Sequence, residues 1–505
     1  MSFLTEPQWA SLLSCLLPGQ DQLRILHIRA RPRKSIQAGY EILEVLEAAP
    51  EKPLPFPNSF FTAICWDSQI FGLLDRKDLW TEIWRILVDG GIVFGPVPNC
   101  IQSLNKHVAF LRSLGYSHIQ GYILLPLTVR PWSVIPVWPK KVSRGALQHL
   151  SLRIERNLKN TVGLKITILL DRLGVLSKII PQVFLAARKQ VNSNRESSQS
   201  LVDVLEELLR ESEIALSLYL GTGKVILPVF SLAGKALAYV RLARDKRRSA
   251  LLKNEAKVLI RLEQKHFNCA ELPHVITSGT WRGFFYVIET TVEDKAKPSR
   301  EFKPIHLKWL CELFNKTAHW QLIEDSAYLR TLQSQLDYIS TRVETEVREL
   351  LHRRIAGVIR QLKQAGLLPF GVSQREFSID HCLEVGDKLF VVDWEHARDE
   401  YPPYFDLFHC LLSLNPIPTV DALLQHWRSF FFQKGIGQSA IEQYSRGIGL
   451  NSMLGYLFLW LYIVDQLTIY LQTPDHLRAG WMIRIFEEMD KRPDFAQSNW
   501  LGGVA

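Results

Sequence analysis

The sequence predicts two folds in tandem: a shortened, doubly wound α/β sheet, then an α+β part in which a small antiparallel sheet leads into a helical lobe. Three observations predict this. Strand-like and helix-like runs alternate between residues 23 and 94. A polar, Ser-rich stretch at 192–200 (NSNRESSQS) separates two apolar, amphipathic regions. Beyond it three strand-like runs follow closely, and from Pro304 the chain reads as mostly helical.

In the first part, residues 23–28 (LRILHI) and 60–66 (FFTAICW) are short apolar runs of strand type. Residues 75–87 (DRKDLWTEIWRIL) place Leu79, Ile83, Ile86 and Leu87 on one helical face. Asp89-Gly90-Gly91 is expected to stop that helix, and residues 92–94 to begin the next strand. Residues 147–185 read as helix, and 201–220 open as an amphipathic helix. In the second part, 218–220, 225–230 and 236–242 are strand-like, with turns at Gly221-Thr222-Gly223 and Leu232-Ala233-Gly234. A helix over 251–263 follows, then strands around Val275 and over 284–289. The expected organisation is 1–140, a helical connector and linker at 141–205, a sheet lobe at 206–295 and a helical lobe at 296–495.

Composition narrows the class. The chain has 505 residues, 47% hydrophobic and 22% charged, as in ordinary globular protein. Its net charge of +9 comes from scattered basic residues, so no nucleic-acid partner is expected. Seven cysteines without metal-knuckle or redox spacing predict free thiols in a reducing, cytoplasmic setting. The start of the sequence lacks the basic and small-residue features of a signal peptide. Residues 163–187 are interrupted by charges and Pro181, and 453–471 contain Asp465, so both are expected as buried helices rather than membrane spans.

Residues 54–94 carry Leu54-Pro55-Phe56, Ser59-Phe60 and Gly90-Gly91 at spacings that resemble the class I S-adenosylmethionine-dependent methyltransferases. The resemblance covers roughly residues 20–138, with Gly115-Tyr116 to Leu125-Pro126 similar to the family's closing strand pair. It implies a Rossmann-like methyltransferase sheet. The family's glycine-rich cofactor turn is replaced by Arg29-Ala30-Arg31-Pro32-Arg33. Glu41 or Glu44 stands where an acidic ribose partner would be. The interval from Ile28 to Phe61 is too short for the family's two helices and two strands, so part of the sheet should be missing. No S-adenosylmethionine binding is expected.

Residues 221–243 and 249–263, with 368–412, resemble the aminoglycoside phosphotransferase family, which implies a two-lobed protein-kinase-like fold over about 216–477. The strongest match is Phe390-Val391-Val392-Asp393-Trp394-Glu395, followed by Phe405-Asp406. The family's phosphate-pairing lysine falls on Arg241 and its helix glutamate on Glu255. With Gly221 and Gly223 these make the implied nucleotide-binding set. The catalytic aspartate maps to Glu376 and the Mg²⁺-holding asparagine to His381; Asp393 is the retained metal acid. Asp406 is expected to tie the catalytic loop to the helical lobe. ATP and Mg²⁺ are the implied cofactors.

Because Glu376, His381 and Arg241 all depart from the family, the leading expectation is a pseudoenzyme or scaffold that binds a protein or a sugar-containing molecule. By analogy alone it would belong to bacterial surface-polysaccharide synthesis. The alternatives are an active phosphotransferase on a sugar or small alcohol, through Arg241, Glu376 and Asp393, and a methyltransferase.

Overall fold

The computed structural model describes residues 16, 24–29, 41–46, 53–66, 76–98, 101–125, 133–154, 167–168, 182–190, 199–221, 224–281, 283–292, 296–414, 419–431, 436–472 and 476–491. The chain divides into two compact units. The first comprises residues 1–253 and 275–294, the second 254–274 and 295–505.

The first unit is organised on one long sheet. Its strands are β1 (Arg24–Arg29), β2 (Glu41–Leu46), β3 (Phe61–Trp66), β4 (Leu87–Pro98), β5 (Tyr116–Leu125), β6 (Ser133–Trp138), β7 (Gln182–Lys189), β8 (Ile214–Leu216), β9 (Leu218–Gly221), β10 (Lys224–Ser231), β11 (Ala236–Ala243), β12 (Val275–Trp281) and β13 (Phe284–Thr290). The spatial order is β12-β13-β11-β10-β9-β6-β5-β7-β4-β3-β1-β2, with β8 beside β10. Strands β2, β1, β3 and β4 are parallel neighbours. Strand β7 then lies antiparallel to both β4 and β5. All six residues of β3 are buried, as a strand covered on both faces requires.

Helix α1 (Lys77–Ile86) follows β3, burying Trp80, Ile83 and Ile86. It also fixes the Leu54-Pro55-Phe56 turn. Leu54 N donates to Glu82 at 2.9 Å, and Arg85 donates to the carbonyls of Leu54 (2.9 Å) and Phe56 (2.8 Å). The helix ends at Ile86, before Asp89-Gly90-Gly91, so those residues do not stop it. They lie inside β4, where pairing with β3 slips from Phe61–Leu87 to Ala63–Ile92. Gly90 takes φ +75° there, which glycine does without strain. Gly95 lets β4 pass under the Trp66 ring, because an added Cβ would sit 2.3 Å from it.

One further expectation is met only in part. Of the helix read over 147–185, residues 147–154 lie in α3 (Lys140–Ile154), which follows α2 (Ile101–Ser113), and 167–168 are helical, whereas 182–185 belong to strand β7; the other residues of that stretch lie outside the described ones. Pairing with β4 and β5 on both sides fixes β7 as a strand, whatever its local pattern. Strands from either side of the Ser-rich stretch pair in this sheet: β6 meets β9, where Ser133 pairs with Tyr219 and Val134 with Leu218. Ser217 Oγ donates to Val134 O across the same junction at 2.9 Å. Most of the Ser-rich stretch lies outside the described residues. Its last residue, Ser200, caps helix α4 (Leu201–Leu209) in a capping box with Asp203. Apolar residues on the two faces of this sheet form two cores. One holds Leu26, Trp66, Ile135, Phe230 and Tyr239; the other holds Ile25, Phe94, Val134, Leu227 and Val240.

Helix α5 (Lys246–Glu263) crosses from one unit into the other. The second unit continues with α6 (Pro304–Thr317), α7 (Ala327–Ser340), α8 (Thr345–Gln364), α9 (Phe405–Ser413), α10 (Val420–Phe431), α11 (Ile436–Gly447), α12 (Ser452–Gln472) and α13 (His476–Asp490). Its strands of three residues or more are β14 (His319–Gln321), β15 (Leu368–Ser373), β16 (Cys382–Val385), β17 (Lys388–Val391) and β18 (Arg398–Tyr401). Strand β15 pairs with β14 and β18, and β16 forms a hairpin with β17. Helix α12 is long and apolar enough to cross a membrane, yet it is mostly buried within the unit. Trp460 meets Phe486 edge-on, and Tyr462 meets Phe405 and Phe408, as expected for a core helix.

Candidate functional site

The site lies in the second unit, where the loop after β15 meets the end of β17. Strand β15 delivers Gln374-Arg375-Glu376 to the loop. Asp406, in the first turn of α9, accepts hydrogen bonds from Gln374 N (2.8 Å), Arg375 N (2.7 Å) and Ser373 Oγ (3.0 Å). The expected tie between loop and helix is thus in place. Burial drives the Asp406 carboxyl up and those three donors pull it down, leaving it at about 6. Gln374 Nε2 donates to the carbonyls of Val392 (2.6 Å) and Asp393 (2.9 Å), which locks the loop to the end of β17.

Arg375 adopts φ +69° and Asp393 φ +71°, a left-handed backbone that costs non-glycine residues about 1–3 kcal/mol. Arg375 is held by its side chain. Its guanidinium bonds Asp465 of α12 at 2.6 Å and 3.3 Å, and the same carboxylate accepts from Tyr401 Oη (2.6 Å) and Gln335 Nε2 (2.7 Å). The carboxylate that interrupts the apolar α12 is therefore the buried counter-charge of the candidate catalytic loop.

Six ionisable groups gather around this frame. Glu255, Asp393 and Glu395 each offer an oxygen within 4.8 Å of the others, and Glu255 and Glu395 are buried. Glu255 Oε1 accepts Trp394 N–H at 3.0 Å, so α5 is tied to the segment after β17. His396 Nε2 stands 3.6 Å from both Glu376 Oε1 and Glu395 Oε1. His381 Nε2 stands 3.7 Å from Asp393 Oδ2, and its Nδ1 lies 2.8 Å from Glu376 O. Burial raises the Glu376 carboxyl. His396 opposes the rise, while Asp393 and Glu395 add to it.

Of the residues singled out in the sequence, Glu376, Asp393, His381 and Glu255 are thus brought together. Arg241 belongs to the first unit, where it pairs with Glu289 at 2.7 Å, both side chains being buried. The sequence did not point to Glu289, which sits opposite Tyr239 on the neighbouring strand. Gly221 ends β9 opposite Lys224. Gly223 and Arg31 lie outside the described residues. Arg29 ends β1 and Glu41 begins β2. His396 was missed because no motif marks it. The role of Arg375 was missed too; its signal was the lone acid, Asp465, in the apolar α12.

From β8 onward the elements follow the order of a kinase-like fold: antiparallel sheet, an intervening helix, then a helical part carrying the catalytic-type loop and hairpin. No protein-family model and no curated protein matches the sequence. Solved structures that resemble it include the following three. Aminoglycoside phosphotransferase APH(4)-Ia, in a ternary complex with ADP and hygromycin B, is 12% identical over 57% of this chain and 97% of that one, with a TM-score of 0.37. A choline/ethanolamine kinase family protein from Mesorhizobium loti is 14% identical over 56% and 90%, with a TM-score of 0.34. ADP-bound APH(2'')-Ib is 11% identical over 59% and 97%, with a TM-score of 0.35.

Proposed function

We propose that the chain is an ATP-dependent phosphotransferase whose acceptor is a hydroxyl of a sugar or small alcohol. The observation that carries this is the convergence of Glu376, Asp393, Glu395, Glu255, His381 and His396 around a loop pinned by Asp406. Keeping buried carboxylates and two left-handed backbones together is costly, and such strain concentrates where it serves chemistry. The nucleotide half of the proposal rests on the sequence resemblance.

Glu376 would accept the acceptor's hydroxyl proton as that oxygen attacks the terminal phosphorus and the bridging P–O bond breaks, releasing ADP. Its raised pKa brings it closer to working pH, where a general base is most effective. His396 orients the carboxylate, and Gln374 fixes the loop. The donor set of Glu255, Asp393 and Glu395 fits a divalent cation, being oxygen-rich and largely shielded from water. When bound, such an ion neutralises charge on the phosphates. The test is transfer of labelled terminal phosphate from ATP to a panel of amino sugars and amino alcohols. A labelled product is expected; no product and no nucleotide binding would refute the proposal.

A second reading, a non-catalytic binding module, is favoured by one observation. The cation mapped to phosphate pairing, Arg241, is engaged by buried Glu289. Glu289→Gln removes that engagement, and nucleotide affinity should then rise if Arg241 faces phosphate. For the N-terminal part we propose a methyltransferase-derived scaffold without a cofactor. The parallel set β2-β1-β3-β4 followed by antiparallel β7 supports it, as does the single strand described between β1 and β3.

A further inference from the structure

We propose that a cleft in the second unit, sharing no residue with the catalytic-type loop, is a binding site for a small phosphorylated sugar or polyol. This goes beyond the phosphotransferase reading and does not rest on it, since binding is measured without ATP.

The cleft has a volume of about 940 Å³, the size of a small-molecule site rather than an ion site. Helix α6 forms one wall. Lys308, Cys311, Glu312, Asn315 and Lys316 recur at helical spacing, so one face of α6 carries all five into the cleft. Asn268 and Cys269, beyond the end of α5, form a second wall, and the end of α11 supplies Gln443, Arg446 and Gly447. The walls are tied to one another. Glu312 accepts Asn268 N–H at 2.7 Å and Cys269 N–H at 2.8 Å. Lys316 Nζ donates to Glu312 at 2.8 Å and to His266 O at 2.5 Å. Asn315 Nδ2 donates to Gly447 O at 2.8 Å. Gly447 lets α11 approach this closely, because an added Cβ would stand 2.6 Å from Cys311 Sγ.

These bonds decide what is left for a ligand. Glu312 is the carboxylate of the cleft, and Lys316 and two backbone amides already hold it. Lys308 and Arg446 are not used in this way. Lys308 makes no hydrogen bond or ion pair among the described residues. Arg446 donates from Nε to Glu442 O at 3.4 Å, and its two terminal nitrogens have no such partner among the described residues. Burial and Glu312 raise the Cys269 thiol while Lys308 and Lys316 oppose them, so both ammonium charges act on the interior of the cleft. Three cations thus stand against one carboxylate. A phosphomonoester carries a charge of about −1.5 to −2 at neutral pH and balances that excess. Ammonium and guanidinium groups are also the donors that phosphate oxygens take best. Phosphate alone would fill little of the cleft. Leu307 and Cys311 offer apolar surface for a carbon skeleton, and the side-chain amides of Asn268 and Gln443 suit hydroxyl groups.

The test is calorimetric titration of the full-length protein, without nucleotide, with glucose 6-phosphate, glucose and inorganic phosphate. Glucose 6-phosphate is expected to bind, inorganic phosphate to bind more weakly and glucose not at all. Lys308→Gln and Arg446→Gln, both at exposed positions, should each weaken binding about tenfold or more. Lys363→Gln, at an exposed position on α8, should leave it unchanged. Glu376→Gln should also bind the sugar phosphate undiminished, which separates the cleft from product binding at the loop. No binding, equal binding of glucose or of inorganic phosphate, or full affinity in the Lys308→Gln, Arg446→Gln double variant would overturn the proposal. Binding lost in Glu376→Gln but intact in that double variant would overturn it and favour the phosphotransferase reading. Binding that needs Lys308 and Arg446, in a protein that never transfers phosphate, would support it and count against that reading.

Discussion

Glu376 reaches one methylene further than the aspartate its position resembles, and its surroundings show how that length is used. The carboxylate stands beside His396, while its backbone carbonyl holds His381. A general base contributes about 10²–10⁴-fold, so Glu376→Gln should lower turnover at least about 100-fold. Only the ionised form is a base. Because burial raises this carboxyl, turnover should fall with decreasing pH through a pKa above the ordinary glutamate value. A pH profile flat down to that ordinary value would remove Glu376 from the base role. A second residue-scale expectation concerns Glu312, remote from the chemistry. Burial raises its carboxyl, but Lys316 and the backbone N–H groups of Asn268 and Cys269 prevail and hold it at about 2. A depressed carboxyl stabilises the fold above its unfolded pKa and loses that contribution as pH falls toward the folded value. Glu312→Gln should therefore destabilise by about 1–2 kcal/mol at neutral pH, with the deficit shrinking toward pH of about 2 in denaturant titrations.

At the scale of elements, the buried pair between Arg375 and Asp465 joins the catalytic-type loop to α12. Removing one member of a buried pair strands the other charge and costs about 3–5 kcal/mol. Asp465→Leu should destabilise by that order. Arg375→Gly suits the positive φ of the loop, so the double variant should recover much of the loss, as coupled sites do. Additive losses in calorimetry would show the pair to be uncoupled. This element also shows what a sequence discloses. Apolar continuity and Asp465 were enough to read α12 as a core helix, and the run ending in Asp393 was enough to place β17. The partner of Asp465 was not legible, because it is 90 residues away and the pairing is made by tertiary packing. Strand β7 was hidden for the same reason: its identity comes from two neighbours, not from its own pattern. The Arg241–Glu289 pair depended on register between β11 and β13, which alternation alone does not set.

At the scale of the molecule, the sheet running from β2 to β12 packs strands from both sides of the Ser-rich stretch into shared cores. The composition shift at the Ser-rich stretch was real, but composition cannot report that β6 and β9 pair across it. A chain beginning at Leu201 should expose the β9 edge and the apolar residues that face β6, and so aggregate or melt well below the full protein. A monomeric fragment with unchanged melting temperature would show the two parts to be independent. The central claim is that the gathered acids and histidines perform phosphoryl transfer, and its most direct test is single-turnover transfer of labelled phosphate from ATP, with Mn²⁺ or Mg²⁺, by the full-length protein and its Glu376→Gln variant. The account predicts transfer by the natural sequence and at least about 100-fold slower transfer by the variant, with nucleotide binding retained. Equal rates in the two proteins, or no transfer and no bound nucleotide with either ion, would contradict it.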